Sequence, residues 1–260
     1  CYDQRSPTIE NCVFSGNTAD AGGGMVNDTS DPKVFNCVFT GNSANYDGGA
    51  VMNMRDARPT ITNCTVSGNT AASSCGGVYN WLGEGNEVNV ANCILWGNSD
   101  DSGTDESAQI DVLEGTALVN YSSVQGCTIF CANPDDHNIG DDPLFVRDPD
   151  PGPDGNWDGV DDDYGDLHLQ AGSPCIDAGN NNADTDANTP GIQPLPPTDL
   201  DGNFRIVMVE SATVDMGAYE FQDGTPIPAV SEWGLVAMTL LVLTAGTVVL
   251  MRRRRAVTAC

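Results

Sequence analysis

A parallel β-helix, an all-β solenoid, is the fold this sequence predicts. Three observations point to it: one segment recurs without gaps, each copy keeps its cysteine and asparagines at fixed places, and the repeating part lacks helical periodicity. The copies are PTIENCVFSGNTA (7–19), PKVFNCVFTGNSA (32–44), PTITNCTVSGNTA (59–71) and VNVANCILWGNSD (88–100), with a degraded one, VNYSSVQG, at 119–126. Along the column Cys12, Cys37, Cys64, Cys93 and Ser122 the steps are 25, 27, 29 and 29 residues.

Each unit is a short β-branched and aromatic run, a Gly-Asn turn, then a Gly-Gly turn into a second apolar run. The second column reads GGGM at 22–25, GGAV at 48–51 and GGVY at 76–79. Such a unit cannot bury its own apolar face, so units must stack. Leucine-rich repeats would need a leucine frame, and propeller blades would need longer units. Stacking at roughly 4.8 Å per coil sets Asn11, Asn36, Asn63 and Asn92 in one ladder and Asn17, Asn42, Asn69 and Asn98 in another, where amides can satisfy one another. The cysteine column reads as small core residues, with disulfides between adjacent coils left open. Cys127 and Cys131, off-register and close, suit a local disulfide. Residues 1–140 form this unit, and the chain opens at Cys1 inside a repeat, read as lacking its first coils and its export signal.

With GGAV at 48–51 and the Phe14-to-Asn17 and Phe39-to-Asn42 elements in place, the pattern resembles the polymorphic outer membrane protein repeats of the right-handed parallel β-helix (pectate-lyase-like) superfamily. Later copies carry Val66 and Leu95 where the element has Phe. The resemblance implies a right-handed coil. It implies no single function, since that scaffold serves adhesins, lyases and structural proteins.

From 141 to 222 the period stops and Asp, Pro, Gly and Asn dominate. DDPLF (141–145), GDLHLQAGSPCIDAGNN (165–181), DLDGNFRI (199–206) and VDMGAYEF (214–221) resemble the choice-of-anchor Q segment of bacterial surface β-helix proteins. An open β-helix end exposes strand edges and core, so this segment is expected to be a terminal β cap. Within it Asp154, Asn156, Asp158, Val160 and Asp162 alternate as oxygen ligands do in calcium loops, Gly159 permitting the sharp turn. Calcium bracing the cap is the expectation; a solvated acidic linker is the alternative.

Residues 223–260 read as a sorting tail. The run 235–251 carries no charge and covers roughly 25 Å as a helix, enough for one thin transmembrane span. Arg252, Arg253, Arg254 and Arg255 follow as a membrane stop, which places the body outside the cytoplasm. Ile227, Pro228, Ala229, Val230, Trp233 and Gly234 resemble the IPTL-CTERM motif, with Ala229 and Val230 where that family has Thr and Leu. The resemblance implies an exosortase-type peptidase as partner and a bacterial cell-envelope or surface location. Cys260 would then face the cytoplasm as a free thiol. Ten basic against 37 acidic residues give a net charge of −27, and four of those basic residues lie in the tail. Such a surface disfavours nucleic acid and offers oxygen ligands to cations.

No catalytic constellation stands out. A polysaccharide lyase needs calcium and an Arg or Lys base, and outside the tail and Arg5 only Lys33, Arg55, Arg58, Arg147 and Arg205 are available. A glycoside hydrolase could use two of the many carboxylates. His137 and His168 read as surface or packing residues. The expected role is therefore adhesive or structural, or binding of extracellular polysaccharide or other surface ligands, without turnover; a lyase or hydrolase is the alternative.

Overall fold

The computed structural model describes residues 1, 6–81, 83, 87–183, 195–205 and 213–222. The repeats build a parallel β-solenoid. The first coil carries β1 (Thr8–Glu10), β2 (Val13–Ser15), β3 (Thr18–Ala19) and β4 (Met25–Asp28). The second carries β5 (Lys33–Phe35), β6 (Val38–Thr40), β7 (Ser43–Ala44) and β8 (Val51–Met54), and the third β9 (Thr60–Thr62), β10 (Thr65–Ser67), β11 (Thr70–Ala71) and β12 (Val78–Trp81). β13 (Glu87–Ala91) and β14 (Ile94–Trp96) lead through a one-turn helix α1 (Glu106–Gln109) to β15 (Ile110–Val112), and β16 (Thr116–Asn120) and β17 (Ser123–Val124) begin the last coil. Equivalent strands pair in parallel as four ladders, β1-β5-β9-β13-β16, β2-β6-β10-β14-β17, β3-β7-β11 and β4-β8-β12-β15.

Period-two side-chain alternation makes the middle residue of each three-residue strand the inward one. Ile9, Val34, Ile61, Val90 and Val119 stack on one wall, and Phe14, Phe39, Val66, Leu95 and Val124 on the next. The Phe14 and Phe39 rings stack at 4.6 Å. Those that are fully buried, from Val34 and Phe39 onward, each contribute roughly 1.5–3 kcal/mol relative to exposure. Between the first two ladders the chain turns on Asn11, Asn36, Asn63 and Asn92, at φ of 54°, 53°, 51° and 55°. Asparagine tolerates that left-handed conformation better than other side chains. Cys37, Cys64 and Cys93 follow as buried free thiols, and each accepts or extends the column: Cys37 N–H donates to Cys64 Sγ at 3.4 Å, Cys64 N–H to Cys93 Sγ at 3.4 Å, and Cys93 N–H to Ser122 Oγ at 3.0 Å.

The amide ladder of Asn17, Asn42, Asn69 and Asn98 forms as expected, each Nδ2 donating to the next Oδ1 at 2.8–2.9 Å. Its last acceptor is Gln109 Oε1 of α1, 2.8 Å from Asn98 Nδ2. A further ladder, Asn27 to Asn53 to Asn80 at 2.8 and 2.7 Å, runs inside the fourth wall. The glycine column is displaced from its expected register in one coil. Met25, Val51 and Val78 are partners, so Gly76 lies under Gly49 and Cys75, at φ 52°, occupies the left-handed position that Gly22 and Gly48 hold above it. Gly49 cannot be replaced for another reason: a Cβ there would lie 2.4 Å from Thr70 O and 2.5 Å from Gly76 O of the next coil.

The last coil is closed by residues 126–139, inside the span assigned to the repeats. Ile139 pairs with Ser123, Phe130 and Cys127 pack on the core, and Cys127–Cys131 is a disulfide. The segment expected as an end cap instead covers a flank. The described residues between 141 and 221, including the antiparallel pair β18 (Phe145–Arg147) and β19 (Asp166–Leu169), lie on the outer face of the second ladder. There a second core joins Val38 and Ile94 to Phe145, Leu167, Leu169, Cys175 and Met216. The end needs no cap from this segment because Phe130 already fills it, whereas outward Val38 and Ile94 require cover.

The Ile227–Gly234 motif, the 235–251 span, Arg252–Arg255 and Cys260 lie outside the described residues. Among the described residues no helix is long and apolar enough to cross a membrane.

Candidate functional site: the seam between coil and flank

The flank segment docks on the left-handed asparagines. Asn36 Nδ2 donates to Asn11 Oδ1 at 3.1 Å and to Thr198 O at 2.7 Å, while its Oδ1 accepts from Arg205 Nε at 3.1 Å and Nη2 at 2.8 Å. Asn92 likewise accepts from Asn180 N–H at 2.7 Å and donates to Asn180 O at 3.1 Å. That column is thus shared with the flank rather than closed on itself. Arg205, 2% exposed, pairs with Glu220 at 2.6 Å. Asp215, also buried, accepts from the N–H groups of Asp177 at 2.7 Å and Phe221 at 2.5 Å, and Glu220 N–H donates to Asp199 at 2.9 Å. Burial pushes the Asp215 carboxyl up to about 6. Burial and the neighbouring Asp215 push Glu220 up to about 8, against the pull of Arg205. Asp199 and Arg205 of the DLDGNFRI marker and Asp215 and Glu220 of VDMGAYEF therefore form a buried lock.

Next to the lock, a groove of about 330 Å³ opens over the first two coils. Val13 and Ser15 of β2 form its floor, and Arg147, Tyr164, His168 and Tyr219 its flank-side wall. The glycines of the first two Gly-Asn turns make this wall possible, since a Cβ on Gly16 would come within 2.8 Å of the Tyr164 ring and one on Gly41 within 2.8 Å of both the Trp157 and Tyr164 rings. Those two rings stack at 5.7 Å. His168 is held at both nitrogens, Nδ1 to Asp166 at 2.6 Å and Nε2 to Asp201 at 2.7 Å, with its ring 4.1 Å from that of Tyr219. Burial disfavours the imidazolium, but the hydrogen bonds to Asp201 and Asp166 outweigh it and raise the pKa of His168. Arg147 is paired with Asp163 at 2.6 Å. The histidine clamp was missed in the sequence. Asp166 and His168 share one face of β19, which is a readable signal, but Asp201 comes from a distant loop.

A larger recess, about 530 Å³, lies beside α1 and the disulfide loop. Its Glu106 is locked in place: the N–H groups of Thr128, Ile129 and Phe130 and the Thr128 hydroxyl donate to it at 2.6–3.0 Å. Burial would raise this carboxyl, yet those donors hold it below its usual range.

The structure scatters the other candidates. Arg55 is bound to Asp28, Arg147 to Asp163 and Arg205 to Glu220; Lys33 and Arg58 are not free either. Arg5 lies outside the described residues. His137 caps a short turn and stacks on Tyr121 at 4.5 Å. In the predicted calcium loop, Asp154 Oδ1 accepts from Asn156 N–H at 2.9 Å and Asp162 Oδ2 from Gly159 N–H at 3.2 Å; Val160 is fully exposed. Asp162 Oδ1 is buried without a hydrogen-bond partner. Among the described residues, however, no three His, Cys, Asp or Glu converge as a formed metal site requires.

In comparison with known families, the family described as right handed beta helix region matches residues 1–132, and the IPTL-CTERM motif matches residues 225–255. Neither the curated proteins nor the solved structures give a match.

Proposed function

The chain belongs to the right-handed β-helix family, and from that premise we propose that it is a surface-sorted bacterial protein that binds extracellular polysaccharide without turning it over. A β-helix domain followed by an IPTL-CTERM motif suggests a protein of the cell envelope or surface. The observation that carries the non-catalytic part is the engagement of the basic residues. A lyase base must reach substrate unpaired, and Arg55, Arg147 and Arg205 are each held by a carboxylate, Arg205 in full burial. His168 has no nitrogen to spare. An exosortase-type peptidase is the proposed partner of the tail, and a membrane-spanning helix at 235–251 its proposed intermediate.

Retention is the test. The purified chain is passed over immobilised plant and bacterial polysaccharides while near-ultraviolet absorbance and new reducing ends are followed in the eluate. Retention with neither product is expected. Unsaturated product or new reducing ends would overturn the non-catalytic reading, and flow-through on every matrix would overturn binding.

Calcium is proposed as a brace that orders the 154–162 loop as it binds, supported by the buried, unpartnered Asp162 Oδ1. Millimolar calcium should raise the melting temperature by a few degrees, and Asp158→Ala and Asp162→Asn should each abolish the rise. An equal rise in both variants would place any calcium elsewhere.

A further inference from the structure

We infer that the groove floored by Val13 and walled by Tyr164, His168 and Tyr219 is a subsite for a neutral sugar unit of the polysaccharide. The inference rests on the polysaccharide-binding reading above and deepens it. Sugar rings present two kinds of surface, patches of C–H on the ring faces and hydroxyl groups around the rim. The groove presents the complement of both. Val13, 56% exposed on the outer face of β2, is an apolar floor that the flank segment leaves uncovered, although it covers the equivalent Val38 one coil below. Tyr164 and Tyr219 supply flat aromatic surface beside it. On its lining stands a hydroxyl-binding group held in fixed geometry, Asp166, whose Oδ1 is set by His168, with Asp201 behind the other nitrogen of that ring. A carboxylate with one oxygen committed keeps lone pairs for sugar hydroxyls, and it loses little entropy on binding because its rotamer is already set. Thr40 contributes structure rather than contact, since its hydroxyl donates to Tyr164 O at 2.9 Å and fixes the wall to the coil.

Size and charge define the ligand class. A volume of about 330 Å³ lies at the small end of ligand pockets, roughly 300–1,000 Å³, which suits a single ring and part of its neighbour. The lining carries Asp166, Arg147 and His168, and the two cationic side chains are matched by Asp163 and Asp201 behind them, in a chain of net charge −27. A uronate or sulfated unit would meet repulsion there, so the sugar is uncharged. Both ends of the groove's polar rim are internally paired, so the site retains its ligand and supplies no free base.

The full chain would be titrated with cellotetraose, maltotetraose and mannotetraose, and with tetragalacturonate as the anionic control, by calorimetry and by tyrosine fluorescence. At least one neutral tetrasaccharide is expected to bind, and tetragalacturonate at least tenfold more weakly. Val13→Glu, at an exposed position, should keep the wild-type melting temperature and weaken the neutral sugar at least tenfold. Tyr164→Phe, which keeps the ring and removes the hydroxyl that donates to Asp162 Oδ2 at 3.5 Å, should weaken it less. Preference for the uronate, or equal binding by wild type and Val13→Glu, would overturn the assignment. The polymer assay separates the two ideas. If Val13→Glu retains polysaccharide as wild type does, the groove is wrong and the binding function stands. If neither protein retains any polymer, both fall.

Discussion

Asn69 shows how much of this fold rests on single amides. It is fully buried, its Oδ1 accepts from both the N–H and Nδ2 of Asn42 at 2.9 and 2.8 Å, and its Nδ2 donates to Asn98 and to Phe39 O. Truncation strands donors on one coil and an acceptor on the next, and each stranded buried group costs about 1–3 kcal/mol. Asn69→Ala should therefore lose about 2–4 kcal/mol, read as a lower urea midpoint with an unchanged slope. A loss under 1 kcal/mol would mean the ladder merely accompanies the stacking. This ladder was legible because one column of identical residues recurs with the coil. Gln109, its terminator, was not, since it arrives from α1 rather than from the repeat and only its reach to Asn98 reveals the role.

At the scale of elements, the repeats were readable and the flank was not, for the same physical reason. Coil contacts recur at 25 to 29 residues and leave a period, whereas Arg205 meets Asn36 across 169 residues and leaves none. Motif glycines misled by one residue in the third coil because Cys75 holds the left-handed position. The flank's hold on the coil should depend on Arg205. Arg205→Ala leaves Glu220 buried without its cation, a change worth about 3–5 kcal/mol where the carboxyl is ionised. Because burial pushes Glu220 up to about 8, the loss should be smaller at pH 5, where Glu220 keeps its proton, than at pH 8.5. Urea unfolding at the two pH values checks this, and an equal loss at both would remove Glu220 from the explanation.

For the whole molecule, the titrating groups set a stability optimum on the acidic side of neutral. Asp215 at about 6, Glu220 at about 8 and the raised His168 all bind protons more tightly folded than unfolded. Stability they contribute is present at low pH and is lost as pH rises from roughly 4 to 8. Asp105, Glu106, Asp163 and Asp166 are lowered, so theirs is lost as pH falls below the ordinary carboxylate range. The melting temperature should peak near pH 5 and decline toward pH 8.5; a maximum above pH 8 would contradict these shifts. An acidic coil with its flank locked on suits display outside the cell, and the IPTL-CTERM motif suggests a cell-envelope or surface location. The most direct measurement of that claim is surface labelling of intact bacteria expressing the full chain with the native tail or with Trp233→Ala and Gly234→Ala. Labelling of the native chain, lost or sharply reduced in the tail variants, is the predicted result. A native chain found only in the cytoplasm, or labelling indifferent to the tail, would contradict it.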